Sequence, residues 1–274
     1  MDRKESINEI LERISPKTEY RDDRYINKLV NGIAGFVSAT DFTDNGMLIS
    51  NLGYLLSQNG FNTCILDLKV FYPNLYNYLD VAPNKKGRGL LNILKSDKVD
   101  LRSEINVTKY ERLYLLSSSP QDLMEEYFDF EVMDVQRVIK GLKNIFDVVL
   151  IDIPNIPPLE FCVGALDCSS LGFFTASERI DAVNNMTRLL DFAASLGINT
   201  AKLANVIFMN VQDSGYDFDV VKQMRFNIAA ELPLVKGATT DSYEGRLYLR
   251  DNPLVNQYFA DQVENIARII VNLG

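Results

Sequence analysis

Residues 31–67 read NGIAGFVSATDFTDNGMLISNLGYLLSQNGFNTCILD, and this stretch restricts the possible folds more than any other part of the chain. An apolar strand at residues 33–37 runs into a short polar loop. Leu48, Leu52, Leu55 and Leu56 then recur at helical spacing, and Gly60 is placed to end that helix. A second apolar strand follows and closes on Asp67. Apolar strands with few charges, joined through a helix, are what a parallel sheet covered on both faces requires.

The same alternation continues along the chain. Val135, Val138, Ile139, Leu142 and Ile145 make a second apolar helix face just before the strand DVVLI. Further strands are expected at residues 113–117, 171–175 and 205–209, with a closing helix over about 255–273. The predicted architecture is a doubly wound α/β fold, a mostly parallel sheet with helices on both faces. No low-complexity linker divides the 274 residues, so 31–274 is expected to form one domain. Residues 1–30 stand apart: Ile7, Ile10, Leu11 and Ile14 form a narrow apolar stripe on a short helix ending before Ser15-Pro16, and KTEYRDDRY links it to the first strand. That helix either packs back on its own domain or docks a partner or second subunit.

The junction between the first strand and its helix is where an α/β protein of this type would hold phosphate. A working loop needs glycines whose backbone amides close around phosphates, a Lys for their charge and a Ser or Thr for magnesium. Here the loop offers Ala39, Thr40, Asp41, Phe42, Thr43, Asp44 and Asn45, and no Gly-Lys dipeptide occurs anywhere in the chain.

Taken with its flanks, this segment resembles the deviant Walker A ATPases, the family of MinD, ParA and the CpaE/TadZ-like pilus-assembly proteins. Their pattern is a strand, Ser, one variable residue, KGGVGKTT, and a helix with an Asn-Leu pair. Ser38, Ala39, the run from Thr40 to Met47, and Asn51-Leu52 align with it without a gap. On that alignment Thr40 replaces the signature Lys, Asn45 the phosphate-binding Lys and Gly46 the magnesium-binding Thr. CILDLKV resembles the next strand end, with Asp67 as its first acid and Lys69 in place of its second. FDVVLIDIPN resembles the family's FDxVxIDxPP strand and makes Asp152 the switch-region acid. LGFFTASERIDAVNN and ELPLVKGATTDSYEGRLYLRDNP match later family segments, and VIFMN places Asn210 where the adenine edge is read.

The resemblance implies a nucleotide site whose positions persist as Asn45, Gly46, Asp67, Asp152 and Asn210 while its chemistry has been lost. The two acids equally suit strand ends that bond turn amides. Hydrogen bonds to charged groups are worth roughly 1.5–3 kcal/mol each. Losing two lysines then weakens polyphosphate binding by about a hundredfold to ten-thousandfold, and Asp41 and Asp44 add repulsion. The expectation is a catalytically inactive pseudo-ATPase with no cofactor, acting as a scaffold or positioning factor for a membrane-associated machine such as pilus assembly or secretion. The second reading is an active ATPase with an unusual loop, using ATP and magnesium in positioning, partition or septum placement.

A net charge of −9 argues against nonspecific nucleic-acid binding. No apolar run approaches the roughly 18–20 residues that span a bilayer, and MDRKESINEILERISPK lacks a signal-peptide core. A cytoplasmic protein is expected, recruited to the inner membrane face through a protein partner and not by direct membrane insertion. Its C-terminal ENIARIIVNLG lacks the basic amphipathic extension of MinD-like proteins, and about 30 residues precede the fold where CpaE/TadZ-like proteins usually carry a receiver-like domain. A homodimer that forms without nucleotide is the expected assembly. Without histidine, Cys64, Cys162 and Cys168 read as reduced thiols and not as a zinc site. Lys85, Lys86 and Arg88 read as a solvated loop.

Overall fold

Residue parity along the first strand, β1 (Ile33–Ser38), shows how the core is divided. Side chains alternate across a strand, so Ala34 and Phe36 enter one apolar cluster while Ile33 and Val37 enter another on the opposite face. The computed structural model describes residues 32–40, 43–179, 181–212, 218–223, 226–252 and 255–271. The expected N-terminal stripe of Ile7, Ile10, Leu11 and Ile14 lies outside these residues, as do Asp41 and Phe42.

The remaining strands are β2 (Thr63–Asp67), β3 (Asn106–Val107), β4 (Leu113–Leu116), β5 (Val148–Ile153), β6 (Leu171–Ala176), β7 (Asn205–Val211) and β8 (Asn227–Pro233). They form an eight-stranded sheet in the order β3-β4-β2-β5-β1-β6-β7-β8. All pairs are parallel except β3 with β4. The short antiparallel edge strand β3 was not expected from the sequence.

The helices are α1 (Asn45–Gln58), α2 (Leu75–Leu79), α3 (Leu90–Lys95), α4 (Leu101–Glu104), α5 (Val132–Lys143), α6 (Leu159–Cys168), α7 (Ala182–Ser195), α8 (Phe218–Gln223), α9 (Ala238–Tyr243), α10 (Tyr248–Asp251) and α11 (Gln257–Val271). Helices α1, α2 and α11 pack on the Phe36 face, and α3, α5, α6 and α7 on the Val37 face. Helix α1 is held from outside as well. Asn51 caps the Met47 carbonyl through Nδ2 at 2.8 Å and accepts the Leu249 amide at 2.9 Å, tying the C-terminal segment to the helix that follows the loop.

Arg88 is more than a solvated residue. Its guanidinium reaches the buried Glu104 at 2.7 Å, and Glu104 also accepts from the Gly89 amide and the Asn92 side chain. Lys85 and Lys86 are exposed as expected. The three cysteines are free thiols, and burial pushes Cys162 up to about 12. No helix among the described residues is long and apolar enough to cross a membrane.

Candidate functional site

Strand periodicity builds this site. Asp67 shares parity with Ile65 on β2, and Asp152 shares parity with Leu150 on β5, so both carboxylates end their strands on the face covered by α1. The strands are parallel neighbours and pair Asp67 directly with Asp152. Both residues are fully buried. A ligand crevice in an open α/β sheet lies at the carboxyl ends of such strands.

Two donors meet at one oxygen of Asp152. Its Oδ1 accepts from Asn45 Nδ2 at 3.1 Å and from the Lys69 ammonium at 2.9 Å. Its buried Oδ2 has no hydrogen-bond partner among the described residues. Asn45 is held in turn by Thr175, whose hydroxyl donates to Asn45 Oδ1 at 2.6 Å. Asp67 accepts the Lys69 backbone amide at 3.0 Å and the Ser117 hydroxyl at 3.2 Å. Burial and then the Asp152 charge push the Asp67 carboxyl up to about 7, against the pull of Lys69. Burial lowers the Lys69 pKa, but the bond to Asp152 and the charges of Asp152, Asp67 and Asp44 together outweigh it, and the net shift is upward. Lys69 therefore stays an ammonium, with its side chain 26% exposed.

The described residues ahead of α1 are held by side-chain bonds, within the segment and from neighbouring elements. Asp44 is the helix N-cap and accepts the Met47 amide at 3.0 Å. A carboxylate thus sits at the positive end of the helix dipole, where a bound anion would otherwise be favoured. The Tyr78 hydroxyl donates to the same carboxylate, 2.8 Å from one oxygen and 2.9 Å from the other. Burial and Asp44 hold that phenol well above its ordinary value, so it remains a donor. The Tyr78 ring lies over Gly46: a Cβ at position 46 would come within 2.5 Å of its Cε2. Thr40 is tied to the end of β6, accepting the Ser177 amide at 2.7 Å and sharing a hydrogen bond with the Ser177 hydroxyl at 2.9 Å.

Asn45, Gly46, Asp67 and Asp152 are therefore brought together. Asn210 is not among them. It lies near the end of β7, two strand spacings from β1, or roughly 10 Å at about 4.8 Å each. Its φ of 58° is a left-handed conformation that Asn tolerates. Tyr78 was missed at the sequence level because no motif marks it. The available hint was the glycine at position 46, which leaves room for a ring.

No family model matches the chain, and no curated protein matches it. Solved structures do. MinD of Pyrococcus horikoshii, the septum site-determining protein in complex with Mg-ADP, superposes with a TM-score of 0.70 at 19% identity, over 87% of this chain and 96% of that one. A ParA family ATPase from Chlorobium tepidum gives 0.71 at 17% identity, covering 86% and 97%. The MinC:MinD cell division complex of Aquifex aeolicus gives 0.70 at 15%, covering 86% and 95%. The fold is that of the MinD/ParA P-loop NTPases.

A nucleotide with magnesium, as in the first of these neighbours, does not fit the residues present. The helix N-terminus holds its own carboxylate, Gly46 has no oxygen for a metal and no room for one, and the nearby cation is already bonded to Asp152.

Proposed function

We propose that this protein is a MinD/ParA-like positioning scaffold that works without hydrolysing ATP. The observation that carries the reading is Asp44: an anion built into the start of α1, fixed by Met47 and Tyr78, where a phosphate would need positive charge. On this reading Asn45, Gly46, Asp67, Asp152 and Asn210 are vestigial nucleotide-site positions. The fold is retained for its surfaces, which serve a membrane-associated machine of the pilus-assembly or secretion type through protein partners.

Purified protein is expected to bind neither ATP nor ADP with magnesium in calorimetric titrations at millimolar nucleotide, and to release no phosphate above background. Turnover that disappears on replacing Asp67 or Asp152 would establish the active-ATPase reading instead. The scaffold reading also expects a homodimer by light scattering whose mass is the same with and without Mg-ATP, because no nucleotide remains to switch association. A monomer at tens of micromolar, or a dimer only with nucleotide, contradicts it.

A further inference from the structure

Lys69 stands out from the other lysines. Surface ammonium groups spread their donors into water, yet this one is laid against a fully buried carboxylate at 2.9 Å. The two acids that flank it pair in register at the ends of neighbouring strands. Both lie at the carboxyl edge of the sheet, where a metal-binding site would use oxygens such as theirs. Asp152 Oδ2 is a buried oxygen with no hydrogen-bond partner among the described residues. Two features thus meet: a pair of buried carboxyl groups, one of them with an unsatisfied oxygen, and a positive charge supplied by the chain.

We propose that Lys69 is a built-in counter-ion occupying a divalent-cation seat, and that removing its ammonium converts Asp67 and Asp152 into a site for a hard divalent cation such as Mn²⁺ or Mg²⁺. This rests on the non-hydrolysing reading above and deepens it, since it names what takes the metal's place.

The chemistry supports the exchange. A monovalent ammonium offers three donors and needs no fixed coordination number. Hard cations take carboxylate oxygens and keep several waters, and Asp67 and Asp152 supply carboxylate oxygens without Lys69. An approach exists: a pocket of about 180 Å³ opens beside Lys69, lined also by Val70, Phe71, Pro154 and Ile156. The pocket reaches Lys69 and not the two carboxylates, which are fully buried behind it, so it is the Lys69 side chain that stands between them and the opening. Asn45 stays on Asp152 Oδ1 when Lys69 is shortened, so the acid keeps its position.

The test is thermal unfolding of the full chain without nucleotide, titrated with MnCl₂ to about 10 mM. Wild type is expected to show no Mn²⁺-dependent shift. Lys69→Ala is expected to show a saturable rise of roughly 3–5 °C once Mn²⁺ reaches about ten times Kd, and the rise should vanish in Lys69→Ala combined with Asp152→Asn. Equal shifts in wild type and variant would overturn the proposal, as would a folded Lys69→Ala with no shift. Should Lys69→Ala not fold, Lys69→Gln takes its place under the same criteria. In wild type itself, amine acylation read by mass spectrometry is expected to modify Lys69 at least about tenfold more slowly than the exposed Lys85 and Lys86, because the ion pair with Asp152 makes the ammonium harder to deprotonate to the reactive free amine. Equal rates would overturn the seated ammonium. The two failures are distinguishable: Mg-ATP binding by wild type refutes the scaffold, whereas a Lys69 variant indifferent to Mn²⁺ in a chain that binds no nucleotide refutes only the counter-ion.

Discussion

Replacing Asp67 with Asn is expected to stabilise the protein, and to do so increasingly as the pH rises. Burial and the neighbouring Asp152 hold the folded-state carboxyl at about 7, above its ordinary value of 3.8. A group whose folded pKa is raised contributes stability that is complete below the unfolded value and lost as pH climbs through the folded one. Wild type should therefore weaken progressively between about pH 4 and about pH 7, at roughly 1.4 kcal/mol per pH unit. An Asn keeps the local bonds: its oxygen accepts the Lys69 amide and its NH₂ donates to Ser117. Denaturant unfolding at about pH 5 and about pH 8.5 should show the advantage of Asp67→Asn growing by on the order of 2–3 kcal/mol. A constant difference between the two pH values would contradict the raised carboxyl.

The other acid should respond in the opposite direction. Asp152→Ala removes the acceptor of both Asn45 and Lys69, leaving a buried amide without its partner and an ammonium without its closest counter-charge. Breaking a buried pair from one side typically costs about 3–5 kcal/mol. Lys69 is partly exposed and retains an attraction to Asp67, which brings the expected loss below that range, to about 2–3 kcal/mol. Two acids in register on neighbouring strands thus carry opposite expected signs at alkaline pH. Equal destabilisation by both variants would mean that Lys69 does not distinguish between them.

The fold was legible in the sequence because its signals are local. Continuous apolar runs mark strands buried on both faces, and the leucines of α1 fall at helical spacing on the cluster they enter. The sequence put Asp67 and Asp152 at strand ends, whereas their pairing in register emerges only in the assembled sheet. The site was legible only through the family resemblance. That resemblance implies a lysine at position 45 where Asn stands, but not that Asn45 bridges Asp152 and Thr175 across the sheet. Nor does it show that Tyr78, which is 34 positions from Asp44, caps the same carboxylate as the helix. Those contacts are set by how α1 is laid against the sheet and α2 against α1, a long-range outcome that no short motif encodes. The edge strand β3 escaped for the opposite reason: two residues are too few to establish a period.

The ring of Tyr78 over Gly46 limits how this chain could be engineered. A hydroxyl-bearing residue at position 46 collides with that ring. A lysine at 45 removes the amide that steadies Asp152, and an uncharged residue at 44 leaves both Tyr78 and the helix start without their partner. Each single change toward a phosphate loop is harmful while the others are unmade. Stepwise selection for nucleotide binding is therefore expected to stall at the first substitution, whereas a library varying positions 44, 45, 46, 69 and 78 together could cross the barrier.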